Sequence, residues 1–205
     1  MTMFEDSPDP DSIVSDLTRL VPVTYGALEV GVAKAHSYFE TEGAEIEPFL
    51  FSQIVRWSAR RHLTTKGRLT VEFEFDELAN NGLSISFEGY DIRLRKAFRG
   101  GVPTPGSFAM ETFHSQTFGF FGDASRPNLF ILWDVSRPSY DLAPDLYVAC
   151  PKESTLKFPN VAECHWLVKL PNVALMPQPA VRVDDFDKYE DLPIHRPLEA
   201  TGEAE

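Results

Sequence analysis

The chain has 205 residues, of which 43% are hydrophobic and 12% aromatic; this is typical of one globular domain with a real core rather than of a disordered protein. No apolar run approaches the roughly 20 residues that span a bilayer, and the acidic N-terminus lacks the features of a secretion signal. Two cysteines, Cys150 and Cys164, are too few for a disulfide scaffold, so we expect a reduced, cytoplasmic protein.

The formal net charge of −12 is concentrated at the two ends of the chain. Residues 1–17 carry five acids and no base, and residues 176–205 carry eight acids against three bases, which leaves −2 for residues 18–175. We therefore expect an acidic flexible N-terminus over residues 1–10, a single α+β domain over residues 11–175 and a proline-rich acidic tail over residues 176–205. Such tails usually aid solubility; the alternative is that one of them docks on a basic partner or on a basic patch of the same molecule.

Two helices are predicted in the first 45 residues. The first covers about Ser12–Leu20, with Asp11 or Ser12 as its cap and Pro22 as its end. The second covers about Ala27–Glu42, where apolar residues recur at helical spacing and Gly43 supplies the stop.

A third helix is predicted over about Glu47–Leu63. Pro48 suits its first turn, and the basic residues at its end lie where cations stabilise the helix dipole. We expect one apolar row to face the core, made of Leu50, Ile54 and Trp57. Phe51 and Val55 flank this row.

The stretch Leu69–Phe98 alternates apolar and polar residues with a period of two, in three segments separated by turn residues. This pattern predicts a three-stranded antiparallel meander with one buried and one solvent-exposed face. The residues expected on the buried face are Val71, Phe73, Phe75, Leu83, Ile85, Phe87, Ile92 and Leu94. The charged residues expected on the exposed face are Glu72, Glu74, Asp76, Arg93 and Arg95.

The rest of the domain indicates further strands. Nearly all-apolar runs at Asn128–Asp134 and Leu146–Cys150 are typical of central strands, and His165–Leu170 predicts a last one. Residues 99–107 favour a rigid connecting turn, whereas residues 107–121 fit either a helix or a strand. Helices first and strands later favour an α+β fold, with N-terminal helices packed on an antiparallel or mixed sheet of about five to six strands, over a doubly wound nucleotide-binding fold.

Basic residues form two groups with no acid among them. The first group is Arg56, Arg60, Arg61, Lys66 and Arg68, and the second is Arg93, Arg95, Lys96 and Arg99. With His114, the second group is the candidate binding site of this chain, for phosphate, a carboxylate ligand or nucleic acid. The alternative is that Arg93 and Arg95 make weak cross-strand ion pairs with Glu72, Glu74 or Glu88.

Other chemistries have weaker support. Cys150, Cys164 and His165 have the residue types of a zinc site, but Cys150 lies within an apolar run, where an inert buried thiol is expected. Pro144-Asp145 before a buried strand is a feature of restriction-type nucleases, yet the acid and lysine that should follow one position apart are six positions apart, at Glu163 and Lys169. No nucleophile motif is present. We therefore predict no catalytic residue, no metal site and no cofactor.

Three functions are compatible with these features. The first is a non-enzymatic intracellular protein-interaction domain, that is a regulator, inhibitor or antitoxin-like partner. It would bind another protein and no membrane, and the net charge of −12 disfavours direct binding to nucleic acid. The alternative is a nuclease or toxin-like enzyme that acts on RNA or a nucleotide through the arginines and His114. The second alternative is a domain that binds a small anion over the sheet.

Two features would distinguish these hypotheses. They are the exposure of the aromatic residues and the pairing of the arginines. Exposed aromatic residues would favour protein interaction; the candidates are Trp57, Tyr90, Trp133, Tyr140 and Trp166. Ion-paired arginines on the meander would favour the same function. A cleft in which Arg93, Arg95 and His114 converge without a carboxylate would favour the enzyme or the anion-binding domain.

Overall fold

The computed structural model describes residues 9–67, 71–78, 82–116, 126–135, 144–154 and 159–170. Helices come first in these residues, and they pack on a six-stranded mixed sheet, which confirms the predicted α+β fold. Most of the two predicted acidic tails, residues 1–8 and 176–205, lies outside the described residues, as do Arg68 and Tyr140. None of the described helices is both long and apolar enough to cross a membrane.

The helical part has three α-helices. Helix α1 is Pro10–Asp16, a 3-10 turn follows at Leu17–Arg19, α2 is Leu20–Glu42 and α3 is Pro48–His62. A single π-helical turn, Leu63–Gly67, ends the helical part.

The first two helices differ from the prediction at their junction. Helix α2 begins seven residues before the expected start at Ala27, and Pro22 does not end a helix. Pro22 is the third residue of α2, a position where the missing N–H has no intrahelical partner to lose. Helix α1 begins at Pro10, because the carboxylate of Asp9 accepts hydrogen bonds from the backbone N–H groups of Asp11 and Ser12 at 3.3 and 3.2 Å.

The connection between α2 and α3 lies where the sequence predicts it. Gly43 has φ of 60°, so it ends α2 in the left-handed conformation that glycine adopts without strain. Glu47 caps α3 by accepting from the N–H groups of Phe49 and Leu50. The two helices approach closely at Gly31, where an added Cβ would lie 2.6 Å from the carbonyl oxygen of Val55.

Six strands and one short helix follow in the described part of the chain. The strands are β1 Glu74–Leu78, β2 Gly82–Phe87, β3 Tyr90–Lys96, β4 Leu129–Asp134, β5 Asp145–Pro151 and β6 Cys164–Lys169. Helix α4 is Phe108–His114, so the first part of the ambiguous segment 107–121 is helical, while residues 117–121 lie outside the described ranges.

Strand order in the sheet follows chain order, β1-β2-β3-β4-β5-β6. All neighbours are antiparallel except β3 and β4, which are parallel, with Arg93 beside Phe130 and Arg95 beside Leu132. Parallel neighbours need a crossover, and α4 is part of it. The crossover starts with a turn in which Phe98 and Gly101 exchange two backbone hydrogen bonds of 2.9 and 3.0 Å, as expected of a connecting turn.

The two faces of the sheet are covered differently. One face packs against α1, α2 and α3 in the main apolar core, which includes the predicted residues Leu83, Ile85 and Phe87. The other face carries a smaller apolar cluster, made of Ala97, Val102, Phe113, Phe130, Leu132, Ala149 and Ala162. The face predicted to be exposed on the meander is therefore partly covered at β3, because α4 in the crossover lies over it.

Candidate functional site

Arg93 and Arg95 lie on the face of the sheet opposite the N-terminal helices. They alternate along β3 with Ile92 and Leu94, which are in the main core, so the two guanidinium groups point to the same side. On that side the neighbouring strand contributes Phe130. Both arginines are half-buried.

Helix α4 holds Arg93 in place. The guanidinium group lies 4.1 Å from the centroid of the Phe113 ring, and Nη1 donates to the Ala109 carbonyl at 3.3 Å and contacts the Met110 sulfur at 2.7 Å. A cation over an aromatic face is favourable in a partly desolvated setting. The helix itself is attached to β4, because the side chain of Asn128 donates to the Phe113 carbonyl at 3.0 Å.

His114 follows Phe113 and is fully buried. Its ring centroid lies 5.2 Å from that of Phe130, on the arginine side of the sheet. Burial, together with the charges of Arg95 and Arg93, lowers the pKa of His114 from 6.5 to about 4, although a hydrogen bond between the ring and the backbone of Lys152 acts in the opposite direction. The imidazole is therefore neutral near pH 7.

Among the described residues, Arg93 Nε and Arg95 Nη1 are buried without a hydrogen-bond partner. Burial lowers the pKa of Arg95, and the like charges of Arg56 and Arg93 lower it further. Burial also lowers the pKa of Arg93, which Asp91 partly offsets.

The alternative of cross-strand ion pairs is not realised among the described residues. Within those ranges no carboxylate forms an ion pair with Arg93 or Arg95. The residue opposite Arg93 on β2 is Ser84, and the predicted partners Glu72, Glu74 and Glu88 are exposed.

The other two residues of the predicted site lie elsewhere. Lys96 is on the helix side of the sheet, where its Nζ donates to Ser52 Oγ at 3.1 Å and lies 5.7 Å from the Trp133 ring centroid. Arg99 is exposed in the turn after β3, with φ of 51°. The fold thus brings Arg93, Arg95 and His114 together and leaves Lys96 and Arg99 apart from them.

A second candidate surface lies on α3 and was assigned to the core by the sequence pattern. Leu50 is 38% exposed and Trp57 is 42% exposed, whereas the flanking residues Phe51 and Val55 are buried. At 100° per residue, Leu50, Ile54 and Trp57 lie on one side of α3, and Phe51 and Val55 lie on the other. The expectation that this row faces the core is therefore wrong for Leu50 and Trp57.

Large apolar residues beside this row, one on α3 and one on α2, are exposed as well. Phe49 on α3 is 69% exposed and Tyr38 on α2 is 45% exposed. Lys34 Nζ and the Arg61 guanidinium each lie 5.8 Å from the Trp57 ring centroid. We call Tyr38, Phe49, Leu50 and Trp57, with Lys34 and Arg61, the hairpin surface.

The remaining predicted aromatic anchors do not join this surface. Tyr90 and Trp133 are buried, and Trp166 is half-buried against the main core. Tyr90 donates from its hydroxyl to Asp16 at 2.8 Å, and Arg126 pairs with the same carboxylate at 2.9 Å. These contacts fix α1 to the sheet.

The nuclease and metal hypotheses find little support in the described part of the chain. Asp145 and Lys169 form an exposed ion pair at 2.8 Å. Burial raises the pKa of Cys150 to about 12 and that of Cys164 to about 11, so both thiols are protonated near pH 7. Within the described ranges, no three His, Cys, Asp or Glu side chains are placed to hold a metal ion.

Comparison with known proteins does not add to these observations. No family model matches the chain, and neither the curated proteins nor the solved structures include a significant match.

Proposed function

We propose that this chain is a non-enzymatic protein-interaction domain that binds a partner protein through the hairpin surface. The observation that carries this proposal is the apolar character of both sides of α3. Phe51 and Val55 pack in the core, while Phe49, Leu50 and Trp57 are exposed on the other side. A helix that is apolar on both sides is usually covered on both sides, and a cluster of exposed large apolar residues is typical of an interaction site.

The composition of the surface fits a protein interface. Aromatic residues and arginine are the residue types that carry most binding energy at interfaces. Trp57 is central to the surface, and its ring is already flanked by Lys34 and Arg61. The ring is thus held in place before a partner binds, which lowers the entropic cost of association.

The charges suggest the chemistry of the partner. From Pro48 to His62, α3 contains three arginines and a histidine but no acid. A segment with apolar residues and neighbouring carboxylates would complement Trp57, Lys34 and Arg61. Nucleic acid is a poorer fit, because the whole chain carries a net charge of −12. The two free thiols, Cys150 and Cys164, suit a reducing compartment, and cytoplasmic location is part of the proposal.

Site-specific photo-crosslinking in native lysate tests this function. A benzoylphenylalanine is placed at Phe49, which is 69% exposed on the hairpin surface, and a matched control is placed at Phe108, which is 82% exposed on α4. We expect a protein adduct from position 49, unaffected by nuclease treatment, and no such adduct from position 108. Mass spectrometry of the adduct should locate the cross-link in an acidic, apolar segment.

Binding of the purified partner then tests the individual residues. Truncation of a central interface tryptophan costs about 2 kcal/mol or more, so Trp57→Ala should weaken binding by about 30-fold. Arg61→Glu should slow association and reduce its salt dependence. Phe108→Ser serves as the control and should bind normally. The proposal fails if position 49 yields no protein adduct, if both positions yield the same adducts, or if only RNA is captured.

A further inference from the structure

The C-terminal end of the chain contains a segment with the chemistry that the hairpin surface would complement. Residues 184–192, DDFDKYEDL, have five acids and one base, a net charge of −4. Phe186, Tyr189 and Leu192 recur among these charges at every third position. Large apolar residues with neighbouring carboxylates are also what the surface would select in a partner. The chain therefore carries its own candidate ligand for this surface.

The spacing of the three apolar residues matches the length of the surface. Residues three positions apart share one side of a helix, which is the usual pattern of a helix that binds in a groove. In such a helix Phe186 and Leu192 lie about 9 Å apart along the axis. On α3, Leu50 and Trp57 are seven positions and therefore about 10.5 Å apart.

The hairpin surface supplies the opposite charge. From Pro48 to His62, α3 contains three arginines and a histidine but no acid. Lys34 Nζ and the Arg61 guanidinium each lie 5.8 Å from the Trp57 ring centroid, so cations stand on either side of the apolar anchor. Exposed ion pairs contribute at most about 1 kcal/mol each. The charges therefore select the segment, while the apolar contacts provide most of the binding.

The chain leaves the sheet on the side of the helices. Leu170, the last described residue, is buried in the main core, and its N–H donates to the Leu146 carbonyl at 2.9 Å. Burial and the charges of Glu29 and Asp145 raise the pKa of Tyr25 on α2. The start of β5 is thus near the first half of α2, and the end of β6 pairs with that part of β5.

The intervening residues are long enough to reach the hairpin surface. Thirteen residues, 171–183, separate Leu170 from the segment, and three of them are prolines. Proline-rich chains extend by about 3.1 Å per residue, so these residues can span about 40 Å, which is roughly the diameter of a domain of this size. The required distance is shorter, because Tyr25 and Lys34 are only about 14 Å apart along α2.

We propose that residues 184–192 bind the hairpin surface of their own chain and that a partner protein must displace them. The regulatory part of this proposal rests on the proposed function, because it concerns the same surface. A tethered segment competes at an effective concentration on the order of 1 mM, so even weak binding keeps the surface occupied. A segment that is bound about nine-tenths of the time weakens the apparent affinity of the partner about tenfold.

A photo-cross-linker in the segment tests the contact in the purified full chain, with no partner present. Benzoylphenylalanine replaces Phe186, and the matched control places it at Leu198, six residues beyond the segment. We expect a monomeric adduct from position 186 to the peptides of α2 or α3 that form the hairpin surface, and much less of it from position 198. The contact is overturned by the absence of this adduct, by covalent dimers in its place, or by equal adducts from both positions.

Substitutions on the surface place the contact. Trp57→Ala should reduce the yield of the adduct from position 186 at least about threefold, because a loss of about 30-fold in affinity leaves a tethered segment mostly unbound. Arg61→Glu should reduce the yield as well, since it places a like charge beside the acidic segment. Phe108→Ser on α4 is the control and should leave the yield unchanged. An unchanged yield in Trp57→Ala contradicts the assigned surface.

Binding of the purified partner tests the regulation. In the full chain, Phe186→Ser should bind the partner about tenfold more tightly than wild type, whereas Leu198→Ser should bind like wild type. Equal affinities of the two variants overturn the regulation. Failure of the proposed function gives a different result: position 49 then captures no partner from lysate, while the adduct from position 186 still forms and supports the contact. Partner capture without that adduct overturns the contact and leaves the proposed function in place.

Discussion

The two faces of the sheet differ in how their polar groups are satisfied. On the helix side the one cation that enters from β3, Lys96, donates to Ser52. The atoms buried there without a partner among the described residues, Ser58 Oγ and Trp133 Nε1, belong to neutral side chains. On the opposite side, Arg93 Nε and Arg95 Nη1, which belong to charged groups, are buried without a hydrogen-bond partner among the described residues. The difference indicates that polar groups on the helix side are better satisfied than the arginines on the opposite side, whose burial costs stability.

The largest expected effect comes from the helix side. Phe87 is 4% exposed in the main core, so Phe87→Ala should lower the free energy of unfolding by about 3–5 kcal/mol. Glu72→Gln, on an exposed residue just before β1, should change it little. Urea denaturation of both variants checks this pair. Similar small effects of the two substitutions would remove the distinction between the two faces.

The pH dependence of stability sharpens the comparison. The pKa of His114 falls from 6.5 in the unfolded chain to about 4 in the fold, so between these values the unfolded state binds more protons. His114 should therefore make the protein less stable as pH falls from 6.5 to 4, by about 2–3 kcal/mol, and its contribution to the pH dependence should vanish above about pH 7.5.

Denaturation in phosphate-free buffers at pH 7, 5.5 and 4.5 measures this slope. His114→Gln should flatten it, whereas His165→Gln should leave most of it, because His165 is exposed and its pKa is lowered less strongly by burial. An unchanged slope in His114→Gln would mean that the imidazole is not held neutral by its surroundings.

On the face opposite the helices, replacing a cation that lacks a hydrogen-bond partner should stabilise the protein. Arg95→Met keeps most of the side-chain volume and eliminates the buried Nη1 donor that has no partner. The free energy of unfolding should rise by about 1–3 kcal/mol in phosphate-free buffer. Lys96→Met on the helix side is the control, and it should not stabilise, because it removes a hydrogen bond to Ser52. A loss of stability in Arg95→Met would show that Arg95 has a structural role.

The smallest effect is expected on the hairpin surface. Trp57→Ser should change the free energy of unfolding by less than about 1 kcal/mol, because the ring is 42% exposed and packs mainly beside Lys34 and Arg61. Phe51→Ala, on the buried side of the same helix, should cost about 3–5 kcal/mol. Urea denaturation compares the two. Equal costs would mean that both sides of α3 are structural and would weaken the proposed partner surface.

Local pattern was enough to predict most elements of this fold. Period-two alternation identified β2 and β3 with their buried residues, because a strand places successive side chains on opposite faces whatever its neighbours are. Gly43 marked the end of α2 and Pro48 the start of α3, because both act through the nearest backbone groups. Pro22 misled the prediction because a proline suits the first turn of a helix as well as the residue after one.

The sequence by itself determined the α+β class, the end of α2 at Gly43, the meander and the set of residues from which a site could be built. Only the tertiary structure decided which side of α3 packs against the core. Apolar residues lie on both sides of this helix, so their helical spacing does not identify the buried side. It also decided that Arg93 and Arg95 meet His114 while Lys96 and Arg99 do not. That arrangement depends on the parallel β3–β4 pair and on α4 in the crossover, which join residues far apart in the chain.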